Sequence, residues 1–203
     1  MLIATTNAGK VREFRDLLGN DRFNWHDLSA FEPVAVVEET GLSFADNACL
    51  KATAYGKMFS TWTLADDSGL EVDALGGDPG IHSARWAQRA GAGSGNKANN
   101  ALVLQQMREV PLEKRTARFV CVLALADPRG RIVITSRDTV EGRLLHQEQG
   151  LGGFGYDPLF YVQALGCTLA ELPPAAKHQI SHRGKALRHL RQLLDTLEPL
   201  PDM

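Results

Sequence analysis

The stretch LIATTNAGKVREFRDLL, residues 2–18, indicates the fold class of this chain. Residues 1–6 begin apolar and are predicted to form a buried strand, whereas residues 9–18 carry apolar side chains at the i, i+3, i+6 and i+7 spacing of a helix. A strand that passes through a small polar turn into a helix is typical of α/β proteins. We therefore expect a mixed α/β fold.

The rest of the chain extends this pattern. Hydrophobic patterning predicts strands at 34–37, 63–65, 116–126 and 131–140, helices at 43–59, 97–109 and 181–197, and a mobile glycine-rich loop at 89–97. The strand at 63–65 is expected to end at Ala65, before the acidic residues Asp66 and Asp67. Ser43 is expected to cap the helix at 43–59. The sequence Asp-Pro-Arg-Gly at 127–130 predicts a turn that joins two strands as a hairpin, so the sheet contains antiparallel strands.

Composition restricts the classes of function. The chain has 203 residues, with 22 Lys plus Arg against 24 Asp plus Glu and a formal net charge of −2. Because the chain has no internal repeats and no linker, we expect one domain over residues 1–203. A domain of this size can bury a hydrophobic core without the help of disulfides or a structural metal. A near-neutral chain argues against a nucleic-acid polymer or an anionic membrane as the main partner, because both attract a clear cationic excess. A small anion held by a few basic groups remains compatible with this balance.

The apolar runs and cysteines bear on location. The longest apolar run, residues 119–126, is far shorter than the ~20 residues that span a bilayer, so no membrane segment is expected. The first residues lack the basic region of a secretion signal. Cys49, Cys121 and Cys167 are odd in number and widely spaced, which fits a reducing cytoplasm.

The turn at Thr5–Lys10 is a candidate phosphate site. A helix that begins after a strand and a small-residue turn presents unpaired backbone N–H groups and the positive end of a dipole. The P-loop pattern is not met, because Ala4 stands where its first glycine would be and Val11 follows the lysine. Taken alone, an ordinary turn with a solvated lysine explains this segment equally well.

Two acidic pairs are candidates for metal binding. Glu38-Glu39 and Asp66-Asp67 lie at the ends of two predicted strands, and only one carboxylate of each pair should face a common site because strand neighbours alternate. Carboxylates from two strands are typical ligands of Mg²⁺, which completes its shell with waters and phosphates. Taken singly, a solvated strand end and a simple turn are the simpler interpretations.

Two later segments could bind a ring and an anion. The glycines at 152–158 would let the backbone approach a ligand closely, and the aromatic Phe154 between them offers a face on which a nucleobase can stack. Turn chemistry alone also explains these glycines. The run at 177–185 concentrates hydrogen-bond donors. His178 and His182 have a spacing that zinc ligands can adopt, but no further ligand pattern accompanies them, so we favour donors for an anion or a base oxygen.

Six blocks, taken in order, carry a family resemblance. They are residues 4–10, 38–44, 65–70, 79–85, 153–158 and 181–184. Together they closely resemble the inosine/xanthosine triphosphate pyrophosphatase family, whose members remove deaminated purine nucleotides from the precursor pool. The match runs from residue 3 to about residue 195 and departs modestly from the usual pattern, with Thr6 where Gly or Ser is common and His82 where Tyr is common.

The resemblance implies both a fold and a reaction. The fold would be an α/β domain with a long mixed central sheet, flanking helices and two lobes around a deep cleft, assembled as a homodimer. The reaction would be Mg²⁺-dependent hydrolysis of ITP, dITP or XTP between the α and β phosphorus atoms, giving a monophosphate and pyrophosphate.

The resemblance also assigns residues. It implies a triphosphate loop of Thr5, Thr6, Asn7, Ala8, Gly9 and Lys10, and a purine pocket of Phe154, Gly155, Tyr156, Asp157, Lys177, His182 and Arg183. Glu38 and Asp67 would be metal ligands, Asp67 would also activate water, Ser68 would contact the substrate, and Lys51 is a weaker candidate for a phosphate contact.

Donors such as His182 and Arg183 would suit the C6 oxygen of hypoxanthine or xanthine. Facing the amino group of adenine, each would be left unpaired at a cost of about 1–3 kcal/mol. Two alternatives stay open at this point: a pyrophosphatase for pyrimidine or methylated nucleotides, and a nucleotide-binding module without catalysis. Glu38 and Asp67 argue against the second, because a pure binder needs no water-activating base.

Overall fold

The computed structural model describes residues 1–18, 24–31 and 36–196, and in these ranges the chain forms seven strands and six helices. The strands are β1 (Leu2–Ala4), β2 (His26–Asp27), β3 (Thr63–Val72), β4 (Thr116–Ala126), β5 (Ile132–Leu144), β6 (Phe160–Val162) and β7 (Cys167–Thr168). The helices are α1 (Ala8–Leu18), α2 (Phe44–Phe59), α3 (Trp86–Arg89), α4 (Gly95–Gln106), α5 (Pro174–Ile180) and α6 (His182–Thr196). Four short 3₁₀ turns lie at Leu28–Ala30, Asp73–Leu75, Gly80–Arg85 and Leu112–Lys114.

The seven strands form one mixed sheet in the order β2-β1-β3-β4-β5-β6-β7. β1 lies parallel to both β2 and β3, with Ile3 opposite Leu64, whereas β6 is antiparallel to β5 and to β7. The expected mixed α/β sheet with flanking helices is therefore confirmed. None of the helices in the described ranges is long and apolar enough to cross a membrane.

The chain divides into two compact units, and β3, β4 and β5 each contribute residues to both. Unit 1 consists of Met1–Asp67, Cys121–Asp138 and Arg183–Met203, and unit 2 of Ser68–Val120 and Thr139–His182. Of these, the structure describes the ranges given above.

Each unit has its own hydrophobic core. In unit 1, Phe14 and Leu18 of α1 are buried with Leu187 and Leu190 of α6, one helical turn apart on each helix, around Leu64 of β3. In unit 2, Val103 and Met107 are buried together with Phe119 and Phe160, whose ring centroids lie 4.7 Å apart. The buried β4 run at 119–126 supplies both cores, which explains why it reads as almost continuously apolar.

Several predicted elements are confirmed. β4 has the predicted bounds, and the turn after it closes with bonds from the Asp127 amide to the Arg131 carbonyl and from the Gly130 amide to the Asp127 carbonyl. The Ser43 hydroxyl caps α2 by accepting a hydrogen bond from the Asp46 amide at 3.1 Å. α2 carries two residues of the candidate site, so this cap matters for function as well as for folding.

Other predictions need correction. The strand expected to end at Ala65 continues through Asp66, Asp67 and Ser68 to Val72, because buried cations pair with the carboxylates. The helix predicted at 181–197 corresponds to α6, but the separate helix α5 that precedes it was not predicted. Ser181 has an extended backbone (φ −64°, ψ 152°), which ends α5 before α6 begins. Helix α4 starts at Gly95 and ends at Gln106, so the predicted loop at 89–97 is shorter than expected.

Smaller differences concern the ends of predicted elements. β5 runs on to Leu144 instead of ending at Val140. Of the strand predicted at 34–37, residues 34 and 35 lie outside the described residues, and residues 36 and 37 have no regular structure. Leu197, the last residue of the predicted final helix, also lies outside them.

Candidate active site

The turn between β1 and α1 is organised by Asn7. Its Oδ1 accepts hydrogen bonds from the amides of Gly9 (2.9 Å) and Lys10 (3.1 Å), so the side chain caps the helix. This leaves the Nδ2 group as an exposed donor. Within the described residues, the amides of Thr6 and Ala8 have no hydrogen-bond acceptor. The turn therefore offers donors and a helix dipole to an anion.

A buried ionic cluster lies directly behind this turn. The carboxylate of Asp66 is fully buried, is paired with the ammonium of Lys10, and accepts a bond from Arg183 Nε at 3.1 Å. Arg183 also pairs with Glu13, and its guanidinium lies over the ring of Phe14 at 5.8 Å. Burial tends to raise the pKa of Asp66, but the charges of Arg183 and Lys10 outweigh it and hold this pKa well below its ordinary value. Asp66 therefore stays ionised at neutral pH and fixes Lys10.

Asp67, the next residue, has a different environment because strand neighbours point to opposite faces. Its Oδ1 accepts a hydrogen bond from Lys51 Nζ at 3.1 Å, and its Oδ2 accepts one from Asn47 Nδ2 at 3.2 Å. Burial raises the pKa of Asp67 above its ordinary value, although Lys51 and Lys10 act in the opposite direction. A buried carboxylate with a raised pKa is a better proton acceptor than an exposed one.

Lys51 joins Asp67 to a second carboxylate. Its ammonium donates to Glu39 Oε1 at 2.6 Å as well as to Asp67. Burial tends to lower the pKa of Lys51, but Asp67 and Glu39 outweigh it, so the pKa rises and the side chain stays charged. Glu38, the predicted metal ligand, is exposed instead. The carboxylate that the structure places beside the Asp67–Lys51 pair is Glu39.

Asn47 was missed by the sequence reasoning. It is fully buried, and while Nδ2 donates to Asp67, Oδ1 accepts a bond from the Gly41 amide at 2.8 Å. A Cβ at Gly41 would lie only 2.7 Å from Asn47 Oδ1. The segment that carries Glu38 and Glu39 can therefore approach α2 only if residue 41 is glycine. The signal was present in the helical spacing, because Asn47 and Lys51 are polar residues on the buried face that Phe44 begins.

The predicted purine-binding residues of unit 2 form a second cluster. Asp157 Oδ2 accepts hydrogen bonds from the Phe154 amide (2.8 Å) and from Lys177 Nζ (2.5 Å). The Lys177 ammonium also lies 4.8 Å from the centre of the Phe154 ring, a cation–π distance. Gly153 has a φ of +70°, and a Cβ on it would lie 2.2 Å from Asp157 Oδ2. This residue must therefore be glycine for the cluster to close.

Other predicted residues of unit 2 are held by neighbouring groups. The Tyr156 hydroxyl donates to the Ser83 carbonyl at 2.8 Å, and burial raises the pKa of Tyr156. The His182 ring stacks on Phe119 at 4.9 Å, with 10° between the ring planes. Ser68 is half-buried on β3. These contacts fix the side chains of Tyr156 and His182.

The structure brings the predicted residues together in two groups. Unit 1 holds Thr5, Thr6, Asn7, Ala8, Gly9, Lys10, Lys51 and Asp67, and unit 2 holds Ser68, Phe154, Gly155, Tyr156, Asp157, Lys177 and His182. Arg183, predicted in the purine pocket, belongs to unit 1 and is 1% exposed against Glu13 and Asp66. Its contact with a base stays a prediction, whereas its role in holding Asp66 is observed.

The metal-binding interpretations also need review. His178 lies on α5 and His182 opens α6, so their spacing does not place them one turn apart on a single helix. Across residues 1–18, 24–31 and 36–196, no cluster of three or more His, Cys, Asp or Glu side chains could hold a metal ion. Asp67 and Glu39 nevertheless form a pair of oxygen donors, which is what Mg²⁺ needs when waters and phosphates complete its shell.

Comparison with known proteins identifies the family. The model of the Ham1 family matches residues 1–193. The chain belongs to the Ham1 family. A relative from Exiguobacterium sibiricum, named dITP/XTP pyrophosphatase, is 46% identical over 196 residues, which is 97% of each chain. The family resemblance inferred from the six sequence blocks is thereby confirmed.

Solved Ham1 structures have the same fold. The Ham1 protein of Coxiella burnetii superimposes with a TM-score of 0.85 and 35% identity, covering 97% of this chain and 98% of that one. The Ham1 protein of Staphylococcus aureus gives a TM-score of 0.82 and 38% identity over 96% and 97% of the two chains. The Ham1 fold thus extends over nearly the whole of this chain.

The opposite environments of Asp66 and Asp67 predict opposite effects on stability. Asp66→Asn should lower the free energy of unfolding at pH 7 by about 3–5 kcal/mol, because it leaves Arg183 and Lys10 buried without their anion. Asp67→Asn should unfold no more easily than the original chain, because the folded state disfavours the Asp67 anion. Urea denaturation at pH 7 measures both variants.

The pH dependence follows from the lowered pKa of Asp66. Its stabilising contribution is present above the ordinary value of 3.8 and is lost as the pH falls below it toward the folded-state pKa. The difference in the free energy of unfolding between the original chain and Asp66→Asn should therefore become smaller below about pH 4. Equal losses of stability in the two variants at pH 7 would contradict this assignment.

Proposed function

We propose that this Ham1-family protein hydrolyses the deaminated purine nucleotides ITP, dITP and XTP to the monophosphate and pyrophosphate, and so clears them from the nucleotide pool. The observation that carries the proposal is Asp67, a buried carboxylate of raised pKa held by Lys51 and Asn47 in the unit that contains the anion-binding turn. Relatives named dITP/XTP pyrophosphatase support the choice of substrate.

The triphosphate is assigned to unit 1. It carries about four negative charges, which the Lys10 ammonium, the exposed Nδ2 of Asn7 and the N-terminus of α1 would partly neutralise. Lys10 is held by Asp66, so its ammonium is oriented before the substrate binds. Lys51 offers a second ammonium, at present shared between Asp67 and Glu39. Few cations suffice, which agrees with the near-neutral composition.

Asp67 is assigned the role of general base. The carboxylate would take a proton from a water molecule whose oxygen attacks one of the two phosphorus atoms beside the α–β bridging oxygen. The bond from that phosphorus to the bridging oxygen breaks, and pyrophosphate and the monophosphate separate. Asn47 and Lys51 would keep the carboxylate oriented toward the water while the proton moves.

A magnesium ion fits the donor set of unit 1. Asp67 would hold it together with Glu39 or Glu38, and substrate phosphates and waters would fill the remaining positions. When bound, Mg²⁺ would supply positive charge that offsets the phosphates and polarises the attacked phosphoryl group. Glu39 is the stronger candidate of the two glutamates because it already lies on the ammonium that binds Asp67.

The base is assigned to the unit 2 cluster. The Phe154 ring offers a face for stacking, and Lys177 and His182 are candidate donors to the C6 oxygen of hypoxanthine or xanthine. Adenine presents an amino group at that position, so a buried donor would face a second donor at a cost of about 1–3 kcal/mol. This mismatch is the proposed reason that ATP is spared.

Location and assembly are also proposed. A cytoplasmic location fits the finding that Cys49, Cys121 and Cys167 form no disulfides, because disulfides are rare in a reducing compartment. A homodimer is expected from the family resemblance, and the strongly exposed Leu42 and Leu151 are candidates for burial in its interface. Light scattering should then give twice the chain mass of 22.2 kDa.

A substrate panel tests the reaction. The purified protein with Mg²⁺ should release pyrophosphate from dITP and XTP at least about tenfold faster than from ATP, as expected for one mismatched donor. The Asp67→Asn variant should lose about 10²–10⁴-fold in kcat while it remains folded. Single orthophosphates, or equal turnover of ATP, would contradict the proposal, and tight dITP binding without pyrophosphate would indicate a non-catalytic binder.

A matched pair of variants tests the metal ligands. Glu39→Gln should raise the Mg²⁺ concentration needed for half-maximal rate about tenfold, equivalent to about 1.4 kcal/mol of lost binding. Glu38→Gln, the same change at the exposed neighbour, should leave this concentration nearly unchanged. Titration of Mg²⁺ at saturating dITP measures both. The reverse order of effects would return the metal role to Glu38.

A further inference from the structure

The side chain of Asn100, on α4, contacts the glycine block, which is the segment at residues 153–157 of unit 2 to which the proposed function assigns the base. Asn100 is 3% exposed, and its Nδ2 donates to Glu148 Oε1 at 2.6 Å and to the Gly155 carbonyl at 3.2 Å. Glu148 lies on the exposed segment before the glycine block, and Gly155 lies within that block. One carboxamide therefore joins a helix to two parts of the loop.

The orientation of this carboxamide is determined by its partners. A carboxylate oxygen and a carbonyl oxygen only accept hydrogen bonds, so the NH₂ group must face both. Its Oδ1 is buried and has no hydrogen-bond partner among the described residues. Burying an unpaired acceptor is unfavourable, so an apolar side chain would serve packing better. The two donated bonds are thus the contribution of Asn100.

These bonds complete the anchoring of the block on three successive residues. The Phe154 amide is held by Asp157 and the Tyr156 hydroxyl by Ser83. Gly155, between them, has a φ of +62° and open space where a Cβ would be, so its own packing does not fix it. The hydrogen bond from Asn100 Nδ2 to the Gly155 carbonyl therefore holds the middle residue of the three.

We propose that Asn100 is a positioning residue that sets the purine selectivity of the block at 153–157. This inference rests on the proposed function, which assigns the base to that block. A mismatched amino group is penalised only if the loop cannot shift to relieve the mismatch, so selectivity depends on how firmly the loop is held. Glu148 strengthens the restraint because a charged acceptor makes a stronger hydrogen bond.

The isosteric change Asn100→Asp tests this role. It keeps the shape but sets a carboxylate against the Glu148 carboxylate and the Gly155 carbonyl, so both bonds are lost. The ratio of kcat/KM for dITP to that for dATP should fall about tenfold, mainly because KM for dATP falls when the loop can shift away from the mismatched amino group. Asn96→Asp, the same change at an exposed position of α4, should leave the ratio unchanged.

A second substitution provides a rescue. In Asn100→Asp combined with Glu148→Gln, the glutamine amide can donate to the new carboxylate, so one hydrogen bond returns with donor and acceptor exchanged. Part of the lost selectivity should return with it. A role limited to packing would lower the melting temperature without changing the substrate ratio and would show no rescue. An unchanged ratio in Asn100→Asp overturns the proposal.

Hydrogen exchange separates this inference from the proposed function. In Asn100→Asp, the amides of residues 154–156 should exchange at least about tenfold faster than in the original chain, while those of α2 stay unchanged. If the original chain releases no pyrophosphate from dITP, the proposed function fails, and exchange alone decides whether Asn100 holds the block. Unchanged exchange at 154–156 overturns the positioning role whatever the activity.

Discussion

The burial of the Asp66 carboxylate is the constraint on which unit 1 depends. An unpaired carboxylate could not remain ionised inside the protein, so two cations, Lys10 and Arg183, and the thiol of Cys121 must converge on it. Lys10 lies in the first turn of α1 and Arg183 in the first turn of α6, so one charge on β3 ties the starts of two helices to the sheet. The same pairing lets β3 continue through residues that would otherwise end a strand.

Strand alternation then separates structure from chemistry at adjacent positions. Asp66 faces the cations that stabilise the fold, whereas Asp67 faces the other side and meets Asn47 and Lys51. The first carboxylate is held ionised, and the second carries a raised pKa suited to proton transfer. Because the ion pairs of Asp66 hold this part of β3 in place, they also hold the backbone of the reactive residue Asp67 beside it.

Local patterns in the sequence predicted local features, and contacts between distant residues account for the failures. The bounds of β4, the turn at 127–130 and the Ser43 cap depend on neighbouring residues and were predicted. The continuation of β3 depends on Arg183, more than a hundred residues away, and could not be read from Asp66. The site blocks were found by resemblance, but whether Glu38 or Glu39 approaches Asp67 depends on Lys51, and the buried partners of Arg183 depend on the folded core.

The glycine at position 153 has a consequence for natural variation. Every missense change of a glycine codon adds at least one side-chain carbon, and here that carbon would meet the Asp157 carboxylate at 2.2 Å on a backbone that already disfavours side chains. No amino-acid replacement at this position is therefore conservative, not even alanine. Purifying selection should leave only synonymous changes at codon 153, so population sequence data would reveal this crowding without any structure.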